Sequence, residues 1–297
     1  MKNYILILIS ILIGGQMMAQ DYSFSVAKTG KNITLDTLAG KLKAYDVVFF
    51  GEYHDNADVH AAQITLLEKM YESNKRLILS FEMFERDVQP LLDAYLKGEV
   101  SEADFLAGAR AWSNYETDYK PLIEFAKTKG LQCIAANVPR RLAGKAARSG
   151  ETFCETLSEE ELSYIAKELN IPSGKYRNNF FQTMADNGMH GSADDEAFMD
   201  NLYLAQCLKD DTMAEAILKY RKQYPKYRIL HFNGDFHSRE FLGTVERCLW
   251  RAPKLKVAVI TPHFKGSLLP ENATEIATYF VLIPEPPAED TPQEGTP

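Results

Sequence analysis

The stretch Asp46–His54, DVVFFGEYH, decides how this chain is read. Val47, Val48, Phe49 and Phe50 form an uninterrupted apolar run that stops at Gly51. A run of that length, ended by a turn residue, predicts a strand covered on both faces, as in a parallel α/β sheet. In such sheets ligands bind beyond the carboxyl ends of the strands. Glu52 and His54 follow Gly51 directly, so a carboxylate and an imidazole fall where a site is expected.

Working outward, the pattern recurs. Lys75–Glu82 (KRLILSFE), Leu131–Asn137 (LQCIAAN) and Tyr227–Asn233 (YRILHFN) are apolar runs, and each ends in polar chemistry. The last continues into Gly234, Asp235, Phe236 and His237. Leu255–Thr261 and Ala277–Ile283 read as late strands. Between them lie helical patterns. Val59, Ala62, Leu66 and Met70 share one face of Asp58–Ser73, and Asp118–Lys129 is amphipathic with Gly130 as its stop. Ser101 and Ser158 begin capped helices. From Ser158 to Tyr224 no strand pattern appears. The reading is an α/β fold: a central, mostly parallel sheet flanked by helices, with a helical lobe inserted at about 140–225. The domain spans 20–283, residues 20–40 are an irregular lead-in, and 284–297 are a Pro- and acid-rich disordered tail.

Lys2, the apolar run Ile5–Ile13 and the small-residue end at Ala19 form a secretory signal peptide over residues 1–19. The run is short for a bilayer span, and no cysteine follows it as a lipid anchor would need. The expected location is therefore periplasmic or exported. A formal net charge of −8 without a basic stripe argues against nucleic-acid binding. Cys133, Cys154, Cys207 and Cys248 contain no CxxC. Cys133 reads as a buried small hydrophobe, and a Cys207–Cys248 bridge stays open.

If the strands are parallel neighbours, Glu52, His54, Glu82 and His237 converge at one sheet edge, with Asn137 and Asp235 nearby. Two imidazoles and two carboxylates suit a divalent transition metal, or one Glu activates water while a His stabilises charge. Structural support for the loops is the bland alternative. A second group lies in the insert: Tyr176, Phe180, Phe181, Met184, Met189, His190 and Phe198. An apolar wall with a Tyr or His axial ligand suits a haem, whereas ordinary helix packing explains the same stripe.

Several ordered motifs resemble a family. Gly51-Glu-Tyr-His-Asp-Asn56 with His60, Ser80-Phe-Glu-Met-Phe84, Trp112, Tyr119-Lys-Pro121, Ala135 to Arg140, Ala205-Gln206 to Ala214, and Asn233 to His237 are similar to the ChaN-like haem-binding uptake proteins. The resemblance runs from about residue 30 to about 265. The wider Tiki, TraB and erythromycin-esterase group shares its paired Gly-x-x-His motifs. The resemblance implies haem binding in iron uptake, a homodimer around stacked haems, a Tyr ligand (Tyr53, Tyr119 or Tyr176) and an outer-membrane haem receptor as partner. It also implies an alternative, a metal-dependent peptidase or esterase using Glu52, His54, Glu82 and His237. Whether the chain is catalytic stays open.

Overall fold

The computed structural model describes residues 21–188 and 196–285. Its eight strands are β1 (Ser23–Val26), β2 (Asn32–Ile33), β3 (Val47–Glu52), β4 (Leu77–Glu85), β5 (Gln132–Asn137), β6 (Arg228–Gly234), β7 (Val257–Phe264) and β8 (Tyr279–Ile283). They form one sheet in the order β2-β1-β8-β7-β3-β6-β4-β5. From β8 to β5 every neighbouring pair is parallel, while β1 joins β8 and β2 antiparallel. β3 thus sits in the interior, and all six of its residues are buried.

Alternation along the strands builds two apolar layers. Val48, Phe50, Leu79, Phe81, Leu230 and Phe232 face one way. They meet α1 (Leu35–Leu42), α2 (Ala57–Ser73), α3 (Gln89–Leu96), α4 (Glu102–Ala109) and α5 (Lys120–Lys129). Val47, Phe49, Ile78 and Ile229 face the other. The chain between β5 and β6 holds α6 (Arg140–Ser149), α7 (Glu159–Ser163), α8 (Lys175–Asp186) and α9 (Glu196–Gln223), with no strand among the described residues. α10 (Thr244–Arg251) and α11 (Ala273–Ile276) complete the set.

α9 ties the lobe to the sheet. Leu204 and Leu208 pack with Leu142, Ala146 and Phe153 of the lobe, whereas Met213 and Ile217 enter the second sheet layer. One helix therefore carries residues from the lobe core to the strand layer, and Asp210 lies between the two contacts.

The lead-in is not irregular. β1 and β2 are four and two residues long, too short for alternation to register, and α1 follows with Thr34 as its N-cap, accepting from the Thr37 N–H. The Ser158 capping box and the left-handed Gly130 stop form as the sequence predicts. Cys133, Cys154, Cys207 and Cys248 are all free thiols, so Cys207 and Cys248 are not bridged. Among the described residues no helix is long and apolar enough to cross a membrane. The expected signal peptide, Met189, His190 and the tail from residue 286 lie outside the described residues.

Candidate functional site

Glu52 ends β3 opposite Gly234 of β6, and its side chain is fully buried. Burying a carboxylate demands partners. Tyr119 donates to Oε1 at 2.6 Å and Gln63 of α2 donates to Oε2 at 2.7 Å. His54 Nδ1 lies 2.9 Å from Oε1. Behind them the His60 ring reaches Gln63 Oε1 at 3.0 Å and the His54 carbonyl at 3.1 Å. Asn114 donates to the same carbonyl at 2.8 Å and pins the 112–114 segment to the His54 loop.

His54 itself stays open. Its side chain is 47% exposed, and its Nε2 has no hydrogen-bond partner among the described residues. The Trp112 ring meets it edge-on, with centroids 4.9 Å apart. It also lies over Gly234, where an added Cβ would come within 2.8 Å of Cε1 and Nε2. Burial pulls the His54 pKa down, but the Glu52 hydrogen bond and the charges of Glu82 and Glu52 outweigh it, so the net shift is upward.

His237 is closed. Its Nδ1 donates to Asp210 Oδ1 at 2.7 Å and its Nε2 faces Glu82 Oε1 at 3.2 Å. Glu82 reaches this position where β4 loses register with β5 between Phe81 and Glu85, an irregularity of the kind that re-aims side chains beside sites. Gly234 N–H donates to Glu82 Oε2 at 2.7 Å. Asp210 also accepts from Tyr176 at 2.5 Å and Thr244 at 2.8 Å. Burial disfavours the His237 imidazolium, but the two carboxylates overcome that and push its pKa up to about 10. Burial likewise raises Glu82 and Asp210, and His237 more than reverses it, leaving both below the usual carboxylate range.

Glu52, His54, Glu82 and His237 do meet at one rim, with Gly234 touching both halves. They meet as two hydrogen-bonded pairs. The expected four-ligand metal centre is not formed: among the described residues no group of three or more His, Cys, Asp or Glu side chains is placed to hold an ion. Each carboxylate oxygen is instead directed at a neighbouring donor: Tyr119, His54 and Gln63 on Glu52, Gly234 and His237 on Glu82. Asn137, the remaining strand end, serves a local turn, its Oδ1 accepting from Val138 N–H at 2.8 Å. Asp235 is buried against Gly51 and pairs with Arg239 at 3.3 Å.

Among the described residues, the lobe side chains expected to form a haem wall are packed as core. Tyr176 and Phe180 are buried with Tyr203 and Cys207, and Phe181 and Met184 pack half-buried against them. The stripe is the seam between α8 and α9. Tyr176 spends its hydroxyl on Asp210, and burial raises its pKa well above the ordinary phenol value, so it has no free oxygen to give a ligand. Tyr119 is committed to Glu52 in the same way. Tyr53 is half-buried and stacks on Phe264, centroids 5.7 Å apart.

An open cleft of about 1020 Å³ lies beside His54. Trp112, Asn114 and Asp55 line it with His54, and so do Arg110, Arg140 and Arg141 with Glu85 and Asp87. Arg110 binds Glu85 at 2.9 Å and also Asp87, whose other oxygen takes Arg141 at 2.9 Å. These arginines come from the end of α4 and the start of α6, far apart in sequence, and Asp210 sits mid-helix. Arg140 closes the Ala135–Arg140 motif and Asp210 falls inside the Ala205–Ala214 stretch, but nothing in either stretch states a role for them, and Arg110 and Arg141 belong to no such motif. The Asp210-Asp211 pair beside the Ala205-Gln206 motif was the one available signal.

No curated protein matches the chain. Among solved structures it is similar to one titled for cofacial heme binding to ChaN of Campylobacter jejuni, with TM-score 0.67 and 14% identity, covering 88% of this chain and 96% of that one. It is also similar to a mutant of the erythromycin esterase EreC in its open conformation, with TM-score 0.50 and 10% identity over 88% of this chain and 82% of that one. At these identities the likeness is one of fold. The profile of the family described as haem-binding uptake, Tiki superfamily, ChaN matches residues 38–248, and the chain belongs to that family.

Proposed function

We propose that this chain binds haem in the strand-end cleft, with His54 Nε2 as the axial nitrogen and Trp112 as a flanking wall. One observation carries the reading: of the paired Gly-x-x-His imidazoles only His54, among the described residues, keeps a ring nitrogen with no hydrogen-bond partner, on a half-exposed side chain that lines a cleft of about 1020 Å³. That volume suits a ligand of drug size or larger. Glu52 behind Nδ1 is the carboxylate–histidine arrangement that orients a metal-ligating ring and raises its basicity. Haem, when bound, would supply an iron for a nitrogen ligand to hold. The protein's part is to present Nε2, hold the ring against Trp112 and keep its tautomer through Glu52.

The family and the N-terminal pattern support an exported protein that hands haem on during iron uptake. Because the cleft is open, a second copy or an outer-membrane haem receptor would be the partner that covers a ligand held there. Hemin titration into the purified protein should give a saturable Soret shift. His54→Ala should weaken binding about tenfold or more, the cost typical of losing a metal-site group. A featureless wild-type titration would sink the reading.

Hydrolysis is the second reading, and the observation that favours it is a buried carboxylate, Glu82, held by the N–H of Gly234, the same residue that His54 lies over. Turnover of ester or peptide panels that vanishes in His54→Ala would support it.

A further inference from the structure

The cleft's arginines are unequal. Asp87 has both carboxylate oxygens taken, one by Arg110 and one by Arg141. Glu85 accepts from Arg110 as well. Arg110 holds this clasp from a left-handed backbone, φ 51°, an unfavourable conformation for a residue with a Cβ. Two of the three guanidinium groups are therefore neutralised in place. Arg140, one residue before Arg141, is exposed to the same cleft and makes no ion pair or side-chain hydrogen bond among the described residues. A concave wall focuses the field of such a charge, and a guanidinium grips a carboxylate through two parallel N–H donors.

We infer that Arg140 is the carboxylate anchor of the cleft, fixing a ligand whose anionic arm lies at the arginine end while its other end meets His54. This rests on the haem reading and adds to it: the ligand is recognised as a porphyrin carboxylate, through a propionate. Asp55, which also lines the cleft, disfavours the reverse orientation by like-charge repulsion.

The test compares hemin with hemin dimethyl ester, whose carboxylates are masked, on wild type, Arg140→Ala and Arg140→Lys. Wild type should prefer the diacid. Arg140→Ala should weaken hemin roughly three- to tenfold and leave the diester unchanged, the range expected for one charge-assisted pair at a wet surface. Arg140→Lys should recover part of the preference, since a point charge replaces the fork. Equal binding of diacid and diester by wild type, or equal weakening of both by Arg140→Ala, overturns the anchor and leaves haem binding standing. Failure of both porphyrins to bind wild type overturns the anchor together with the haem reading.

Discussion

His54 and His237 occupy the same place in two copies of one motif, three residues after Gly51 and Gly234, yet they end in opposite states. Both nitrogens of His237 are claimed by buried carboxylates, and its ring is 7% exposed. His54 gives one nitrogen to Glu52, the other has no hydrogen-bond partner among the described residues, and the half-exposed side chain lines an open cleft. The lesson is that a motif supplies the donor, while the neighbours decide whether it is scaffold or site. Asp210, delivered by α9 from outside either motif, makes the difference.

The largest expected effect breaks the closed half. His237→Ala leaves Glu82 and Asp210 buried without their cation and should cost about 3–5 kcal/mol of stability, read from urea unfolding. His54→Ala, removing a half-exposed ring while Glu52 keeps its Tyr119 and Gln63 donors, should cost about 1 kcal/mol. Equal losses would erase the distinction between the two rings.

Acidity sharpens it next. The His237 pKa rises from 6.5 to about 10 on folding, so its contribution is complete below pH 6.5 and drains away as pH climbs toward 10. Glu82, whose pKa falls below its ordinary 4.5, contributes above that pH and loses its contribution as acid protonates it. Thermal midpoints should therefore fall between pH 6.5 and 10 in wild type, and much less in His237→Ala. Hemin affinity should move the other way, dropping as pH descends through the raised His54 pKa, because a protonated ring cannot ligate.

A smaller effect separates the seam from the cleft. Tyr176→Phe keeps the aromatic packing but removes the donor to Asp210, costing about 1–3 kcal/mol. Its hemin spectrum should match wild type. A displaced Soret band would return Tyr176 to the ligand set.

Much of the fold was legible because the interior strands are continuous apolar runs with polar ends. The rim was legible for the same reason: strand ends in a parallel sheet lie together. β1 and β2 escaped because strands of four and two residues carry too little pattern. The lobe misled because spacing at 3.6 residues marks a face and does not tell an aromatic seam from a ligand wall. Asp87, Arg110 and Arg141 gave no signal, and Arg140 and Asp210 lay inside noticed motifs without a legible role, because their meaning lies in contacts between segments.

Gly51 and Gly234 share one consequence. An added Cβ would come within 2.3 Å of Asp235 Oδ1 at the first position, and within 2.8 Å of the His54 ring at the second. A single methyl group at residue 234 therefore has to evict the imidazole from its seat while leaving sheet, lobe and salt links in place. The imidazole keeps its seat because residue 234 carries a hydrogen where any other amino acid would carry carbon.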